Sequence, residues 1–268
     1  MRRGKPSMTA QRVAAHRLTF DRVPAPFGHP QADLDLTRDV AGGPAASAGR
    51  MHDYLRARTA FFDRVVVRAL EAGTSQVVIG AAGYDGRAFR YAKPGVRWFE
   101  LDHPSTQHDK LARLTRLGVP TSDIRFVAAD FASDPIAERL VAAGLDPGSR
   151  CLFLLEGVAV YLDLAVLERL LGQLRQVAAD GSRLAISVSV NSADAAARAR
   201  FRRAVAAMGE PLRSTIEPDE AGDLLWRTGW EVTSGAAGDR DGDGRRDRLR
   251  LAGLLVATAV SAQSTDDD

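Results

Sequence analysis

The residues between Gln76 and Pro104 combine small side chains, a tight turn and two carboxylates. An apolar run, Val77-Val78-Ile79, leads into Gly80-Ala81-Ala82-Gly83-Tyr84-Asp85-Gly86-Arg87. A second run, Val96-Arg97-Trp98-Phe99, ends in Glu100 and Asp102. Small residues let the backbone of such a turn approach a ligand, and a carboxylate closing the next strand can accept from ribose hydroxyls. Asp102 lies 19 positions after Gly83, close to the spacing of about 20 in nucleotide-binding βαβ units. The pattern implies a nucleotide-type ligand and leaves its identity open.

These residues need a sheet to hold them. Candidate strands are Gln76–Gly80, Val96–Leu101, Ile124–Ala129, Cys151–Leu155 and Ser182–Val190. Helical stretches lie between them, at Asp85–Tyr91, Pro104–Leu117, Pro135–Ala143 and Leu164–Ala179. Short apolar strands alternating with amphipathic helices predict a parallel sheet covered on both faces. Before the first strand, Tyr54, Leu55, Phe61, Phe62, Val65, Val66 and Leu70 recur near a helical period over Ser47–Leu70, with Gly73 as the stop signal. Residues 11–49 are broken by prolines and glycines and read as short helices and loops, and the segment from Met1 to about Ala10 as disordered. After the fifth strand, helices are expected over Ala193–Met208 and from Glu217 to Thr228, then strands at Trp230–Ser234 and Leu251–Val260. The segment joining those two strands has no helix, so they should pair antiparallel. Its arginines from Arg240 to Arg250 alternate with aspartates, as on a solvated hairpin tip. The polar tail, residues 261–268, reads as frayed.

The 268 residues suit one large α/β domain with a helical cap, and a hydrophobic content of 45% is ordinary for a globular chain. A net charge of +2 gives no push toward nucleic acid. The single cysteine, Cys151, excludes an internal disulfide and a cysteine zinc cluster, and its apolar setting marks a buried structural thiol. No apolar run is long enough to span a membrane and no signal-peptide core is present, so a cytoplasmic protein is expected. No metal-ligand spacing, G-x-S-x-G elbow or Walker motif occurs.

Five motifs in order carry a family resemblance: Arg58-Thr59-Ala60-Phe61-Phe62-Asp63, Gly83-Tyr84-Asp85-Gly86-Arg87, Phe99-Glu100-Leu101-Asp102-His103-Pro104, Ala129-Asp130-Phe131 and Leu155-Glu156-Gly157-Val158-Ala159-Val160-Tyr161-Leu162. Together they resemble the leucine carboxyl methyltransferase family, bacterial enzymes dependent on S-adenosylmethionine (SAM). The resemblance covers roughly Arg50 to Val190 and is weaker through Gly209-Glu210-Pro211 and Gly229-Trp230. It implies an α/β, Rossmann-like class I methyltransferase fold: a seven-stranded, mostly parallel sheet with an antiparallel C-terminal hairpin strand. Residues 1–49 would form an N-terminal helical cap and residues 50–260 the SAM-binding domain.

The resemblance also implies roles. Arg58 would pair with the methionine carboxylate of SAM, a task suited to a planar guanidinium. The turn at Gly83 would pass close to the methionine part. The usual first glycine of that turn is Ala81 here, with Gly80 one place earlier. An alanine there calls for a negative φ and adds a methyl group facing the ligand, unless the strand shifts and Gly80 takes the role. Asp102 would bind both ribose hydroxyls. Glu100, two residues back on the same sheet face, is the competing candidate. Asp102 is preferred because it lies nearer the carboxyl end of the strand. Asp130 would accept from the adenine amino group, against the alternative of an N-cap. Phe131 would offer its amide to the ring or pack on its face. Glu156 closes an apolar strand and needs a partner, for which the amino group of bound SAM is the obvious candidate. Tyr161 would line the acceptor side or pack in the core. His103 shapes the turn after the second strand.

The reading that follows is a SAM-dependent methyltransferase acting on oxygen of a small molecule. A carboxylate acceptor needs no base, whereas a hydroxyl does, and no clear base stands out. No nucleic-acid or membrane partner is expected, and the protein would be a monomer or homodimer. Two alternatives stay open. One is an NAD-dependent oxidoreductase, disfavoured by the C-terminal hairpin and by Glu156 and Tyr161. The other is a SAM-binding protein without transfer activity, suggested by Ala81.

Overall fold

The computed structural model describes residues 6–43, 49–188, 212–214, 216, 218–233 and 253–260. The chain opens with helices α1 (Met8–Arg17), α2 (Leu34–Ala41) and α3 (Arg50–Glu71). It then alternates through β1 (Gln76–Gly80), α4 (Arg87–Arg90), β2 (Arg97–Asp102), α5 (Pro104–Arg116) and β3 (Ile124–Ala128). Next come α6 (Ile136–Ala142), β4 (Cys151–Leu155), a 3-10 turn (Ala159–Tyr161), α7 (Leu164–Gln176) and β5 (Arg183–Ser187). The last described elements are α8 (Pro218–Arg227), β6 (Trp230–Val232) and β7 (Leu254–Ala259). The expected helix at Ala193–Met208, the segment Arg240–Arg250 and the tail 261–268 lie outside the described residues.

The seven strands run in the order β3-β2-β1-β4-β5-β7-β6. β1 to β5 are parallel, and β7 is antiparallel to both β5 and β6. The antiparallel pairing expected of the last two strands is therefore present, with β7 beside β5 and β6 at the edge. Strand periodicity divides the core into two layers. Val78, Phe99, Phe153, Leu155, Leu184 and Ile186 face α6, α7 and α8, whereas Val77, Ile79, Trp98, Leu152, Leu154 and Ala185 face α1, α2, α3 and α4. Trp230 is fully buried in the first layer, edge-on to Phe153 at 5.7 Å, and its Nε1 donates to the Leu171 carbonyl at 3.1 Å. A buried indole needs that partner.

Two boundaries have local causes. Gly73, at φ 87°, turns the chain out of α3, and the amides of Gly73 and Thr74 donate back to Leu70 and Ala69. This is the left-handed helix stop expected of the glycine. The helix α5 starts on Pro104, with the His103 side chain accepting from the Ser105 amide. The N-terminal expectation is corrected: order begins before Ala10. Ser7 caps α1, its Oγ accepting from the Ala10 amide at 3.0 Å, and the helix packs on α2 and α3. Alternating polar and small residues hid this helix, because its buried contacts are Ala14 and the stem of Arg17 rather than a broad apolar stripe.

Candidate functional site

The turn after β1 is tied to the end of β2. The Ala82 amide donates to the Leu101 carbonyl at 3.0 Å, and the Gly83 amide donates to Asp102 Oδ2. The other oxygen of Asp102 accepts from the His103 amide at 2.6 Å. Each carboxylate oxygen thus takes one backbone N–H and keeps a lone pair, the disposition that a vicinal diol requires. Burial pushes the Asp102 carboxyl up to about 6, against the opposing pull of the two amides and of Lys110. Glu100, the competitor, is 1% exposed and bonded to Lys110 Nζ at 2.5 Å. It is a buried ion-pair partner.

The backbone at Ala81 corrects the sequence reading. Its φ is 53°, and among the described residues it is the one non-glycine with a positive value. Ala81 has the left-handed conformation of the glycine it replaces, at a cost of about 1–2 kcal/mol. Gly80 does not take over the role. It ends β1, and a Cβ there would meet Leu155 Cδ2 at 2.6 Å, so strand packing explains it. Gly83 has φ 51°, and a Cβ on it would lie 3.0 Å from the Ala10 methyl group of α1. The first helix therefore lies over this turn.

A second group of charges sits at the end of β4. Glu156 Oε1 accepts from Arg58 Nε at 3.0 Å, and Oε2 from Arg87 Nη1 at 2.6 Å, with Arg17 Nη2 of α1 at 3.1 Å. Burial works to raise the Glu156 carboxyl, and Arg87, Arg17 and Arg58 overcome it and hold it well below the usual range. The partners of Glu156 within the chain are thus three arginines. Gly157 explains the close packing: a Cβ there would meet Arg58 Nη1 at 2.9 Å. Arg87 also donates to Asp63 at 2.6 Å and to Asp85, while Arg90 bonds Asp63 and Asp33.

Asp85 links the two groups. Its carboxylate is bonded to Arg87, and its carbonyl accepts from Lys110 Nζ at 2.7 Å. Gly83, Asp102, Arg58 and Glu156 are thereby brought into one connected site at the carboxyl ends of β1, β2 and β4. The other candidates stand apart. Asp130 is exposed and its Oδ1 accepts from the Ala132 amide at 2.9 Å, a turn-stabilising bond. The Phe131 ring belongs to the same buried core layer as Val78, Leu101 and Leu155. Tyr161 is half-buried in the 3-10 turn beyond Gly157. Reading by motif missed Arg17, Asp63, Asp85 and Arg87 as site-building charges. Three of them lie inside the quoted motifs, where a charged residue among apolar neighbours was the available signal.

The sequence model of the leucine carboxyl methyltransferase family matches residues 8–175. The chain belongs to the leucine carboxyl methyltransferase family. A relative from Mycolicibacterium paratuberculosis, provisionally designated an S-adenosyl-L-methionine-dependent methyltransferase, is 41% identical over 60% of this chain and 52% of its own length. A relative of the same designation from Saccharopolyspora erythraea is 35% identical over 93% of both chains. The match thus spans about half the length of the mycobacterial relative and nearly all of the other. Among solved structures, a provisionally designated methyltransferase from Thermobifida fusca superposes with a TM-score of 0.61 over 97% of both chains at 18% identity. A DUF574 family protein from Streptomyces avermitilis gives 0.59 over 96% of this chain and 98% of its own, also at 18%. These likenesses, with the strand order above, establish the class I methyltransferase fold for this family member. No helix among the described residues is long and apolar enough to cross a membrane.

Proposed function

We propose that the protein transfers the methyl group of SAM to an oxygen atom of a small molecule, a carboxylate being the favoured acceptor. The observation that carries this reading is the Gly83–Asp102 contact set beside the arginine–glutamate cluster of Arg58, Arg17 and Glu156. The donor set fits the cofactor. The remaining lone pairs of Asp102 match a ribose diol. Arg17 Nη2 is paired with Glu156 and Asp85, while its Nε is buried with no hydrogen-bond partner among the described residues, so one N–H of this guanidinium is left to meet a carboxylate. Arg58, lying against Gly157, would share that carboxylate. Glu156 would orient both arginines, and the backbone at Ala81 and Gly83 would border the amino-acid part. Asp130 and the Phe131 amide would take the adenine edge.

When bound, the cofactor supplies an electrophilic methyl group on a sulfonium. The residues of this chain bind, align and shield: α1 lies over Gly83 and keeps water from the turn, and Tyr161 lines the acceptor side. Holding the acceptor oxygen in line at near-attack distance supplies most of the rate gain. A carboxylate acceptor arrives ionised at pH 7, so no proton transfer is required of the protein.

Calorimetric titration tests the reading. SAM and its demethylated product, S-adenosylhomocysteine (SAH), should each bind one to one, with no response to NAD. Tight NAD binding without SAM binding would overturn it. With SAM bound, SAH release should follow addition of carboxylic acids from a small-molecule panel rather than of phenols or amines.

A further inference from the structure

Under the turn that carries Gly83 lies a buried ion pair that methyl transfer itself does not require. Lys110 is 1% exposed. Its Nζ donates to Glu100 Oε2 at 2.5 Å and to the Asp85 carbonyl at 2.7 Å, and lies 5.9 Å from the centre of the Phe89 ring. An ammonium is strongly hydrated and costly to bury, and apolar residues would fill the same space at less cost. What the lysine does in addition is join three segments: α5, which bears it, β2 through Glu100, and the turn through Asp85. Glu100 and Asp102 are two residues apart on one strand and share a face.

We propose that Lys110 is a positioning residue for the cofactor, fixing the turn through the Asp85 carbonyl and, by its charge, keeping the Asp102 carboxylate ionised for the ribose hydroxyls. This rests on the reading that Asp102 takes those hydroxyls. Among the described residues, the charges around Asp102 are few. Glu100 faces it from β2, Lys110 from α5, and His103 from the β2–α5 junction. Asp85, in the turn after β1, acts on Glu100 and is paired with Arg87 and, at 3.5 Å, with Arg17 of α1. β3 sets Ala128 opposite Asp102, and α1 sets the Ala10 methyl group against Gly83, so neither adds a charge at these points. Lys110 is thus the cation that offsets Glu100. Burial pushes the Asp102 carboxyl up to about 6 and Glu100 up to about 7 even with the lysine in place. Removing the lysine raises Asp102 further. Neutralising Glu100 takes its partner from the Lys110 ammonium, whose charge then acts unopposed, and so works in the other direction.

SAH affinity measured by calorimetry from pH 5 to 8.5 reads this directly, because affinity declines as Asp102 is protonated. Lys110→Met should weaken binding at least tenfold at pH 7 and move the midpoint of the decline up by about one pH unit. Glu100→Gln should move the same midpoint down. A purely structural lysine would lower affinity at every pH and leave the midpoint where it is. That outcome overturns the inference, as does an upward shift in Glu100→Gln. Should Lys110→Met fail to fold, the direction of the Glu100→Gln shift decides alone. Wild-type protein that binds no SAH overturns the cofactor reading and this inference together. Wild-type binding with unmoved midpoints overturns only the latter.

Discussion

Ala81 sits in a left-handed conformation with a Cβ that disfavours it. By chain entropy alone, glycine at this position would loosen the chain and lower stability. The observed φ of 53° reverses the sign. Glycine loses more entropy on folding, by about 0.4–1 kcal/mol, but relief of the left-handed strain outweighs that. Ala81→Gly should therefore stabilise the protein by up to about 1 kcal/mol, seen as a rise in melting temperature of about 2–4 °C. No change, or a fall, would mean that neighbouring contacts of the methyl group matter more than the backbone. At this scale the sequence was legible where one position in one element is at issue, as with the place of Asp102 at a strand end. It was not legible where the partner lies far along the chain. Arg17 and Glu156 lie about half the chain apart, and the end of α3 and all of β1 separate Asp63 from Arg87, so no local spacing could pair them.

Helix α1 holds the turn by two contacts at different points along its length, Ala10 on Gly83 and Arg17 on Glu156 and Asp85. Gly83→Ala would put a methyl group 3.0 Å from that of Ala10 and force a side chain into φ 51°. The helix must lift to relieve the contact. Amide hydrogen exchange across Met8–Arg17 should then quicken, and SAH affinity should fall at least tenfold. Unchanged exchange in α1 would show that the turn, not the helix, gives way. The first four strands were readable to within a residue, helped by the complete burial of β1 and β4, whereas β5 ends and β7 begins three residues inside the expected bounds. The helix α4 was less so: only Arg87–Arg90 of the expected Asp85–Tyr91 is helical. Asp85 is held out of it by bonds to Arg87 and Lys110 that periodicity does not contain.

Two sets of carboxylates give the whole molecule opposing responses to pH. Glu156 and Asp85 are buried, yet their arginines hold them below the usual range. Their contribution to stability is full above the unfolded values near pH 4 and is lost as pH falls through the lowered ones. Burial lifts Asp102 to about 6 and Glu100 to about 7. Their contribution is full below the unfolded values and is lost as pH rises through 6 and 7. Melting temperature should therefore peak at about pH 4 to 5 and decline from there to about pH 7, where the loss is complete. The double variant Glu100→Gln, Lys110→Met should flatten the Glu100 part of that decline in thermal denaturation, and an undiminished slope would assign it elsewhere. The sheet order has a further consequence, in time rather than space. β7 is the last described strand to leave the ribosome, yet it lies between β5 and β6 rather than at a rim. From the emergence of Ser187 until Leu254–Ala259 follows, this edge of β5 has no strand to pair with among the described residues, and Leu184 and Ile186 belong to a half-built layer. At about 5–20 residues per second that interval lasts several seconds. During synthesis the nascent chain carries an apolar, unpaired strand edge that waits for its own C-terminal strand, the window in which a chaperone or a second nascent chain would find it.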